Sequence, residues 1–291
     1  MFKNLIFYEV KEPLNLKDIE TKLESFKSKE PSRTAIETIG FNVPYPSANT
    51  FVHSVCNSHY FSIRKFKKNI PAKLVNYRLN QRIIKASENN QLIDKKMRLQ
   101  FKEEIINDIA SNTPPIPENI TFMYDEMAMV IVADCSSATK AEACLALLRK
   151  AIGSVPVIPL IKVNIAGRMT SWCFDNELPE ELEVLEKGKL RAPDETKSEA
   201  SFNRQFMDAD EVIAARESGK EVISMHFMFE NDFTFTLTDE GFTKSIKYTD
   251  FKIEQVGEAP KNDEAILYDT QAAINTETVR KYCEFLKREF T

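Results

Sequence analysis

Hydrophobic residues recur along this chain with two spacings, one typical of strands and one typical of helices, and its central part shows both. Residues 127–133 form an almost continuous apolar run rich in β-branched side chains, which is typical of a strand buried on both faces. Residues 140–152 place apolar side chains at helical spacing, with Ser136 suited to cap the start and Gly153 the end. Residues 155–160 are expected to be extended, because each of two prolines disfavours helix in the residue before it. We therefore predict a hydrophobic strand–helix–strand unit at the centre of the fold.

The rest of the chain carries the same two patterns and predicts an α+β protein with mixed or antiparallel sheets. Strands are predicted at residues 2–10, 34–43, 50–56, 59–66, 121–124, 201–207, 221–229, 233–238 and 242–248. Helices are predicted at residues 14–26, 71–86, 91–110, 208–218 and 276–290. Tight turns between the last three strands indicate a β-meander.

The order of these elements predicts three parts in the chain. Residues 1–70 and 120–163 form a central α+β domain, and residues 71–119 form a helical hairpin inserted between two of its strands. Residues 164–291 form a C-terminal α+β domain that contains the meander and the terminal helix. A hairpin inserted in this way is expected to project from the central domain.

Composition excludes several classes of protein. With 291 residues, 43% of them hydrophobic and 29% charged, the chain has the composition of a globular protein. No apolar run approaches the ~18 residues that a membrane-spanning helix needs, and the first residues lack the apolar region of a signal peptide. The five cysteines are scattered, so we expect reduced thiols and a cytoplasmic location. The seven glycines form no phosphate-binding loop, so neither nucleotide-driven activity nor a cofactor is expected.

No residue pattern predicts a catalytic or metal site. The three histidines, His53, His59 and His226, are isolated from other ligands and are interpreted as structural. Residues 193–197 (Pro-Asp-Glu-Thr-Lys) contain the letters of a metal-dependent nuclease motif, but the two carboxylates are adjacent. Adjacent residues of a strand point to opposite faces, so these two are not expected to share a metal. The carboxylate of Asp134 is expected to cap the helix that follows it.

Charge is distributed unevenly along the chain. The net charge is −5, yet residues 60–102 contain twelve basic and two acidic residues, a net charge of +10. Cations at helical spacing can follow a phosphate backbone without reading bases, so the stretch indicates nucleic-acid binding, with a solvated helix surface as the alternative. The basic residues assigned to DNA contact in this stretch are Arg64, Lys65, Lys68, Lys73, Arg78, Arg82 and Lys85. The nearby aromatic residues Phe61, Phe66 and Tyr77 are interpreted as core residues.

The central unit also resembles the signature region of a known family. The matching residues are 134–138 (Asp-Cys-Ser-Ser-Ala), 140–142 (Lys-Ala-Glu), 145–150 (Leu-Ala-Leu-Leu-Arg-Lys), 153–154 (Gly-Ser) and 156–160 (Pro-Val-Ile-Pro-Leu). On these residues the chain resembles the RdgC family of bacterial recombination-associated DNA-binding proteins. Further matches over most of the chain include residues 2–5 (Phe-Lys-Asn-Leu), Gly40 and Pro71.

The resemblance implies a ring-shaped homodimer whose positively charged hole encircles double-stranded DNA with little sequence preference. By occupying DNA, such a ring would limit the access of the RecA recombinase, which implies a cytoplasmic, nucleoid-associated protein. The resemblance adds Arg204, Gln205 and Lys220 to the residues expected to line the hole.

One part of the chain departs from the family pattern. The family typically has Leu-Pro-Arg-Ala-Phe at the tip of the hairpin, and the corresponding residues here are 110–114 (Ala-Ser-Asn-Thr-Pro). Asn112 and Pro114 therefore stand at the arginine and phenylalanine positions, so no DNA contact or ring closure is assigned to the tip.

We expect a non-enzymatic, sequence-tolerant DNA-binding dimer with no metal, cofactor or membrane contact. Double-stranded DNA is the expected ligand, and single-stranded DNA is left open as a second one. The alternative is a metal-dependent DNA exonuclease or another DNA-processing enzyme, because nuclease activity has been suspected in the family. A third hypothesis, a purely structural interaction protein, differs from both in binding no DNA.

Overall fold

Two antiparallel sheets organise the fold, and the computed structural model describes residues 1–89, 91–257 and 263–291. The first sheet contains β1 (Ile6–Val10), β2 (Glu37–Asn42), β3 (Val52–Val55), β4 (Ser58–Lys68), β5 (Pro115–Asp125), β6 (Val130–Ala133) and β7 (Val157–Pro159). The second sheet contains β8 (Leu182–Arg191), β9 (Glu199–Asn203), β10 (Glu221–Phe229), β11 (Phe233–Thr238) and β12 (Thr243–Tyr248). The helices in the described ranges are α1 (Ile19–Glu24), α2 (Ala72–Glu88), α3 (Lys95–Asn112), α4 (Ala138–Ile152), α5 (Ile165–Phe174), α6 (Asp210–Glu217), α7 (Asp250–Gly257) and α8 (Glu264–Phe290). The predicted α+β class is confirmed.

The strand order places the predicted central unit inside the first sheet. Its order is β2-β4-β5-β6-β1-β7, with β3 paired to the other end of β4. The strand predicted at residues 127–133 is limited to β6, because residues 127–129 form a turn in which Met127 is 68% exposed. All four residues of β6 are buried, as predicted for a strand covered on both faces. One face of the sheet carries Phe61 and Ile131 and packs against α1 and α4. The opposite face carries Phe7, Tyr60 and other residues that pack toward α8.

Helix α8 lies between the two sheets. The ring of Tyr282 is 5.9 Å from that of Phe7 in the first sheet and 5.1 Å from that of Phe235 in the second, measured between centroids. The hydroxyl of Tyr60 donates to the backbone carbonyl of Ala272 over 2.9 Å. A single cluster of buried hydrophobic residues therefore includes side chains from both sheets. The layers run from α1 and α4, through the first sheet and α8, to the second sheet.

The second sheet contains the predicted meander. Its order is β12-β11-β10-β8-β9, and β10, β11 and β12 are consecutive neighbours. Large apolar residues of β10 and β11, among them Phe227 and Phe235, point inward and are fully buried. The residues between them, such as His226 and Thr236, point outward and are only partly buried. Alternation of this kind leaves one face of an antiparallel sheet in contact with solvent.

Helices α2 and α3 form an antiparallel hairpin that continues from β4 and β5. These two strands pair from Ser58 and Asp125 to Lys68 and Pro115, and the helices start and end directly beyond that point. The hairpin has its own small core of Val75, Leu79, Ile105 and Ile109.

The expected position of the hairpin tip is wrong. Because Pro115 pairs with Lys68 at the end of the sheet, Asn112 and Pro114 lie at the base of the hairpin. Its distal end is the connection between α2 and α3, where the side chain of Leu92 is 93% exposed. The positions at which this chain lacks the arginine and phenylalanine of the family, Asn112 and Pro114, therefore lie at the junction with the sheet and not at the tip.

Several local predictions need correction. Ser137, not Ser136, precedes α4, and its side chain makes no capping bond, whereas Gly153 ends the helix with a φ of 93° as predicted. Asp134 accepts hydrogen bonds from the backbone amides of Lys3 and Asn4, so it fixes the N-terminal segment instead of capping α4.

Other differences concern the extent of the elements. The helix predicted at residues 14–26 is limited to α1, and the terminal helix begins at Glu264 instead of 276. Asp263 caps this longer helix by accepting from the amides of Ala265 and Ile266. Helices α5 and α7 and strand β8 were not predicted. In the described ranges, no helix combines the length and the apolarity needed to cross a bilayer.

Gly40 is a position where the fold requires glycine. A Cβ atom there would lie 2.5 Å from the Cα of Ser28, whose backbone crosses beside β2. We expect Gly40→Ala to lower the free energy of unfolding by about 1–3 kcal/mol, since the neighbouring backbone has to move. Urea unfolding measures this change. Gly257→Ala is the control, because a Cβ at Gly257 would meet no atom of the described residues within 4 Å. An equal loss in both variants would contradict the close approach at Gly40.

Candidate nucleic-acid interface

The first basic residues of the predicted interface lie on β4. Arg64 and Lys65 are adjacent in this strand, so their side chains leave opposite faces of the sheet. The Nε of Arg64 donates to Oδ1 of Asn119 over 2.8 Å, and Lys65 pairs with Glu37 at 3.0 Å. The two residues therefore do not contribute to one common surface.

Lys68 is buried. Only 4% of its surface is exposed. Its ammonium donates to the backbone carbonyls of Ser32 and Arg33 at 3.0 and 2.8 Å. These bonds hold the segment before β2 against the end of β4. Lys68 consequently serves as a structural donor in this chain and is not part of an exposed cationic surface, which corrects its assignment to DNA contact.

Two of the four cations assigned on α2 form ion pairs with α3, and the other two are exposed to solvent. Arg78 pairs with Asp108 at 2.6 Å, and Arg82 pairs with Glu104 at 2.5 Å while its guanidinium lies 4.3 Å from the ring centroid of Phe101. Hydrogen bonds from Gln100 and Arg82 lower the pKa of Glu104. Both arginines thus bind α3. Lys73 and Lys85 are exposed, and within the described residues neither forms an ion pair.

The basic stretch is therefore less positive in space than along the chain. The carboxylates of Glu104 and Asp108 follow directly after residue 102, and the antiparallel hairpin returns them to the arginines of α2. Of the nearby aromatic residues, Phe61 and Phe66 are buried as predicted, but Tyr77 is 60% exposed and is not a core residue.

A second cationic surface, which the sequence did not indicate, lies on the solvent side of the second sheet. We call it the outer sheet face and define it by Lys187, Lys189, Arg191, Ser224, His226, Thr236, Lys244 and Lys247. Glu199 and Glu221, both partners of Arg191, and Glu183, the partner of Met228, lie on the same face. These residues share one face because cross-strand partners lie on the same side of a sheet: Lys189 pairs with Ser224, and Lys244 with Thr236. Its cations come from β8 and β12 and its hydroxyl groups from β10 and β11.

The cations of the outer sheet face differ in what they bind. Lys189 pairs with Glu199, and Arg191 pairs with Asp239, each at 2.5 Å. Lys187, Lys244 and Lys247 form no ion pair with any residue that the structure describes. Three lysines of this face therefore form no ion pair with a carboxylate of the described residues.

The three residues added by the family resemblance lie at the edges of this face. Arg204 and Gln205 directly follow Asn203, the β9 partner of Lys187, and the left-handed backbone of Arg204 (φ 58°) turns the chain there. Lys220 directly precedes Glu221, the β10 partner of Arg191, and its ammonium donates to Oγ of Ser218. The structure thus places Arg204 and Gln205 beside the middle of β8, next to Glu186 and Lys187, and Lys220 beside its last residue, Arg191.

An open cavity of about 200 Å³ lies between these groups. It is lined by Lys187, Lys189, Ser201, Asn203, Ser224 and Thr236. Ammonium, hydroxyl and amide groups are the donors that proteins use to bind phosphate oxygens. Among the described residues, no hydrogen bond or ion pair joins this surface to the residues assigned on β4 and α2.

The nuclease-like residues 193–197 form a turn. The Oδ1 of Asp194 accepts from the backbone amide of Thr196 over 3.1 Å and from its hydroxyl over 2.6 Å. These bonds lower the pKa of Asp194. In residues 1–89, 91–257 and 263–291, no group of three or more histidine, cysteine or acidic side chains is arranged to hold a metal ion.

Comparison with known proteins places this geometry in context. The model of one family, described as "Putative exonuclease, RdgC", matches residues 1–291. A protein named "Recombination-associated protein RdgC" from Pseudoalteromonas atlantica is 28% identical over 299 residues, which is 99% of this chain and 97% of the relative. A protein of the same name from Shewanella loihica is 32% identical, over 86% of this chain and 84% of the relative. Another from Mannheimia succiniciproducens is 27% identical, over 99% of this chain and 97% of the relative.

The different positions of Lys68 and Lys73 lead to a test. We expect Lys68→Met to lower the free energy of unfolding by about 1–3 kcal/mol, because two backbone carbonyls lose their donor. Lys73→Met removes an exposed charge in the first turn of α2 and is expected to change the free energy of unfolding by less than about 0.5 kcal/mol. Urea unfolding of both variants measures the difference. Equal stability of the two variants would show that the Lys68 ammonium is not a structural donor.

Proposed function

Since the chain belongs to the RdgC family, we propose that it is a recombination-associated protein that binds double-stranded DNA with little sequence preference. The proposal includes a ring-shaped homodimer that encircles the duplex and limits the access of the RecA recombinase by occupying DNA. It also includes association with the nucleoid in the cytoplasm. The names of the relatives support the link to recombination.

The observation that carries the proposal is the outer sheet face. Lys187, Lys244 and Lys247 present charge that no carboxylate of the described residues neutralises, beside the hydroxyls of Ser224 and Thr236. Lysine, serine and threonine side chains contact the phosphates and carry little sequence information, so a surface of this composition favours sequence-tolerant binding. Binding of this kind gains most of its free energy from the release of counterions.

The spacing of the cations also suits a duplex. Strands β8 and β12 are separated by β10 and β11, which places their backbones about 14 Å apart at the usual strand spacing. The major groove of B-DNA is ~12 Å wide. The lysines of β8 and those of β12 are therefore spaced to meet the two phosphate strands that border one groove. Lys220 extends the row formed by β8 beyond Arg191, and Arg204 and Gln205 lie beside the middle of that row.

The exposed lysines of the hairpin have a secondary place in the proposal. Lys73 and Lys85 remain available to phosphates, whereas Arg78 and Arg82 already bind carboxylates of α3. In a ring, the hairpin and the outer sheet face would both have to reach the same duplex. We therefore assign Lys73 and Lys85 to DNA contact and assign Arg78 and Arg82 mainly to the integrity of the hairpin.

The description of the family model names a second function, that of an exonuclease. A metal-dependent nuclease holds its metal with converging carboxylates, so that the metal can activate water and stabilise the leaving oxygen. In this chain, Asp194 and Glu195 are the carboxylates that match the nuclease motif in sequence. The Oδ1 of Asp194 already accepts two hydrogen bonds from Thr196.

Substitutions on the outer sheet face test the DNA-binding proposal. We expect Lys187→Ala combined with Lys247→Ala to weaken binding to any duplex about tenfold or more at low salt. The salt dependence should also decrease, because each lost phosphate contact removes ~0.9 from the slope of log affinity against log salt concentration. Fluorescence anisotropy with two unrelated duplexes at several salt concentrations measures both quantities.

The matched control removes two exposed lysines from the opposite side of the molecule. Lys17 and Lys150 lie near α1 and in α4, on the far side of the first sheet. Lys17→Ala combined with Lys150→Ala changes the net charge by the same amount and is expected to leave affinity and salt slope unchanged. Equal losses in both double variants would indicate an effect of net charge alone, and no salt dependence in the native protein would contradict electrostatic binding.

A separate experiment tests the nuclease alternative. We expect linear double-stranded DNA to remain uncut when incubated with the protein and Mg²⁺ or Mn²⁺, because Asp194 and Glu195 do not converge on a metal. Denaturing gel electrophoresis of end-labelled DNA, with a chelator control, detects cleavage. Metal-dependent cleavage that disappears in the variant Asp194→Ala with Glu195→Ala would establish the nuclease function and contradict our assignment.

A further inference from the structure

His226 occupies the middle of the outer sheet face. It lies in β10, and its Nδ1 is 3.1 Å from Oγ1 of Thr236, its direct partner in β11. On the other side, the register of β8 shifts between the partners of Met225 and Phe227, so residues 185–187 lie opposite the histidine. This irregularity brings Lys187 beside the imidazole.

Four lysines and three glutamates are the charged groups around His226. From β8, Lys187 and Glu186 belong to the irregular segment, with Lys189 on one side and Glu183, the partner of Met228, on the other. From β12, Lys244 is the partner of Thr236, and Lys247 is the partner of Thr234. From β11 the facing groups are the hydroxyls of Thr234 and Thr236, and β9 contributes Glu199, which binds Lys189.

This environment disfavours the charged imidazole in the absence of DNA. Partial burial is the main cause that lowers the pKa of His226, and the positive charges of Lys187 and Lys247 lower it further. A hydrogen bond with the backbone of Phe235 acts in the opposite direction and is outweighed. His226 is thus a neutral side chain, at neutral pH, at the centre of a surface that would bind polyanions.

We propose that a phosphate group of DNA bound over Lys187 and Lys247 causes His226 to take up a proton from the solvent, so that duplex affinity rises as the pH falls. The inference rests on the proposed function, because it requires a phosphate at this face. The phosphate neutralises the lysine charges that oppose the imidazolium, and its own negative charge favours the protonated form. The imidazolium then becomes one more cation in contact with the DNA backbone.

The direction of the effect follows from linkage. A group whose pKa is higher in the complex than in the free protein binds protons on association, so association is favoured at lower pH. The dependence is present between the two pKa values of His226, that of the free protein and that of the complex. Below the pKa of the free protein the imidazole is charged in both states, and affinity no longer changes. One proton limits the slope to tenfold per pH unit.

Duplex affinity at about pH 6 and about pH 8, at matched ionic strength, tests the inference in the full chain. We expect the native protein to bind about three- to tenfold more tightly at the lower pH, which corresponds to uptake of about a quarter to a half of a proton averaged over the two pH units. His226→Gln should retain salt-dependent binding and lose this pH dependence. The chain has two other histidines, His53 and His59, which face Asp269 and Glu126. His53→Gln and His59→Gln are the controls, and both are expected to behave as the native protein.

A direct measurement complements the affinities. The imidazole proton resonances of His226, assigned by their loss in His226→Gln, report its titration in the free protein and in the complex with a short duplex. We expect the titration midpoint to move to higher pH in the complex. An unchanged midpoint, or pH dependence that persists in His226→Gln, would overturn the proton linkage while leaving salt-dependent DNA binding in place. Absence of salt-dependent binding at both pH values would instead reject the proposed function itself.

Discussion

The packing of α8 between the two sheets is the interaction on which the rest of the structure depends. Tyr282 is fully buried there, and its ring contacts aromatic residues of both sheets, including Phe7, Phe229 and Phe235. Its hydroxyl shares a hydrogen bond with Thr243, so the polar atom is satisfied inside the core. Arg280 fixes the same helix to the first sheet through the buried carboxylate of Asp125 at 2.7 Å. Without α8, the inner face of the first sheet and the part of the second sheet that α5 does not cover would be exposed to water.

This packing determines what remains available for binding. Because α8 and α5 cover the inner side of the second sheet, its lysines and hydroxyl groups are left on the outer side. Gly188 links the two sides: its Cα faces the inner packing, where a Cβ would lie 2.8 Å from Sδ of Met225 and would displace that flexible side chain. Lys187 and Lys189 flank this glycine and therefore point outward. The packing of the core therefore also determines that these lysines lie on the outer side of the sheet.

The helical hairpin is stabilised differently. Its core consists of a few aliphatic residues, and the pairs Arg78–Asp108 and Arg82–Glu104 cross between its helices on the surface. Exposed ion pairs of this kind contribute little free energy, but they engage the cations that a linear count assigns to DNA. The two arginines of α2 therefore do not add free positive charge to the surface of the hairpin. The second sheet, from a more acidic part of the sequence, offers lysines without carboxylate partners in the described residues.

Periodicity and turn chemistry by themselves determined the α+β class, the hairpin helices and the meander, because these depend on residues close together in the chain. The strands β10 and β11 have the predicted bounds, since alternating apolar residues between tight turns have few other solutions. The family was also evident from a short run of residues in the central unit. Only the tertiary structure determined which cations form the candidate nucleic-acid interface. Whether a lysine is buried, as Lys68 is, paired, as Lys65 is, or free to bind phosphate depends on partners that the fold brings from distant positions. The outer sheet face joins residues 187–191 to residues 244–247, a separation that no local pattern can reveal.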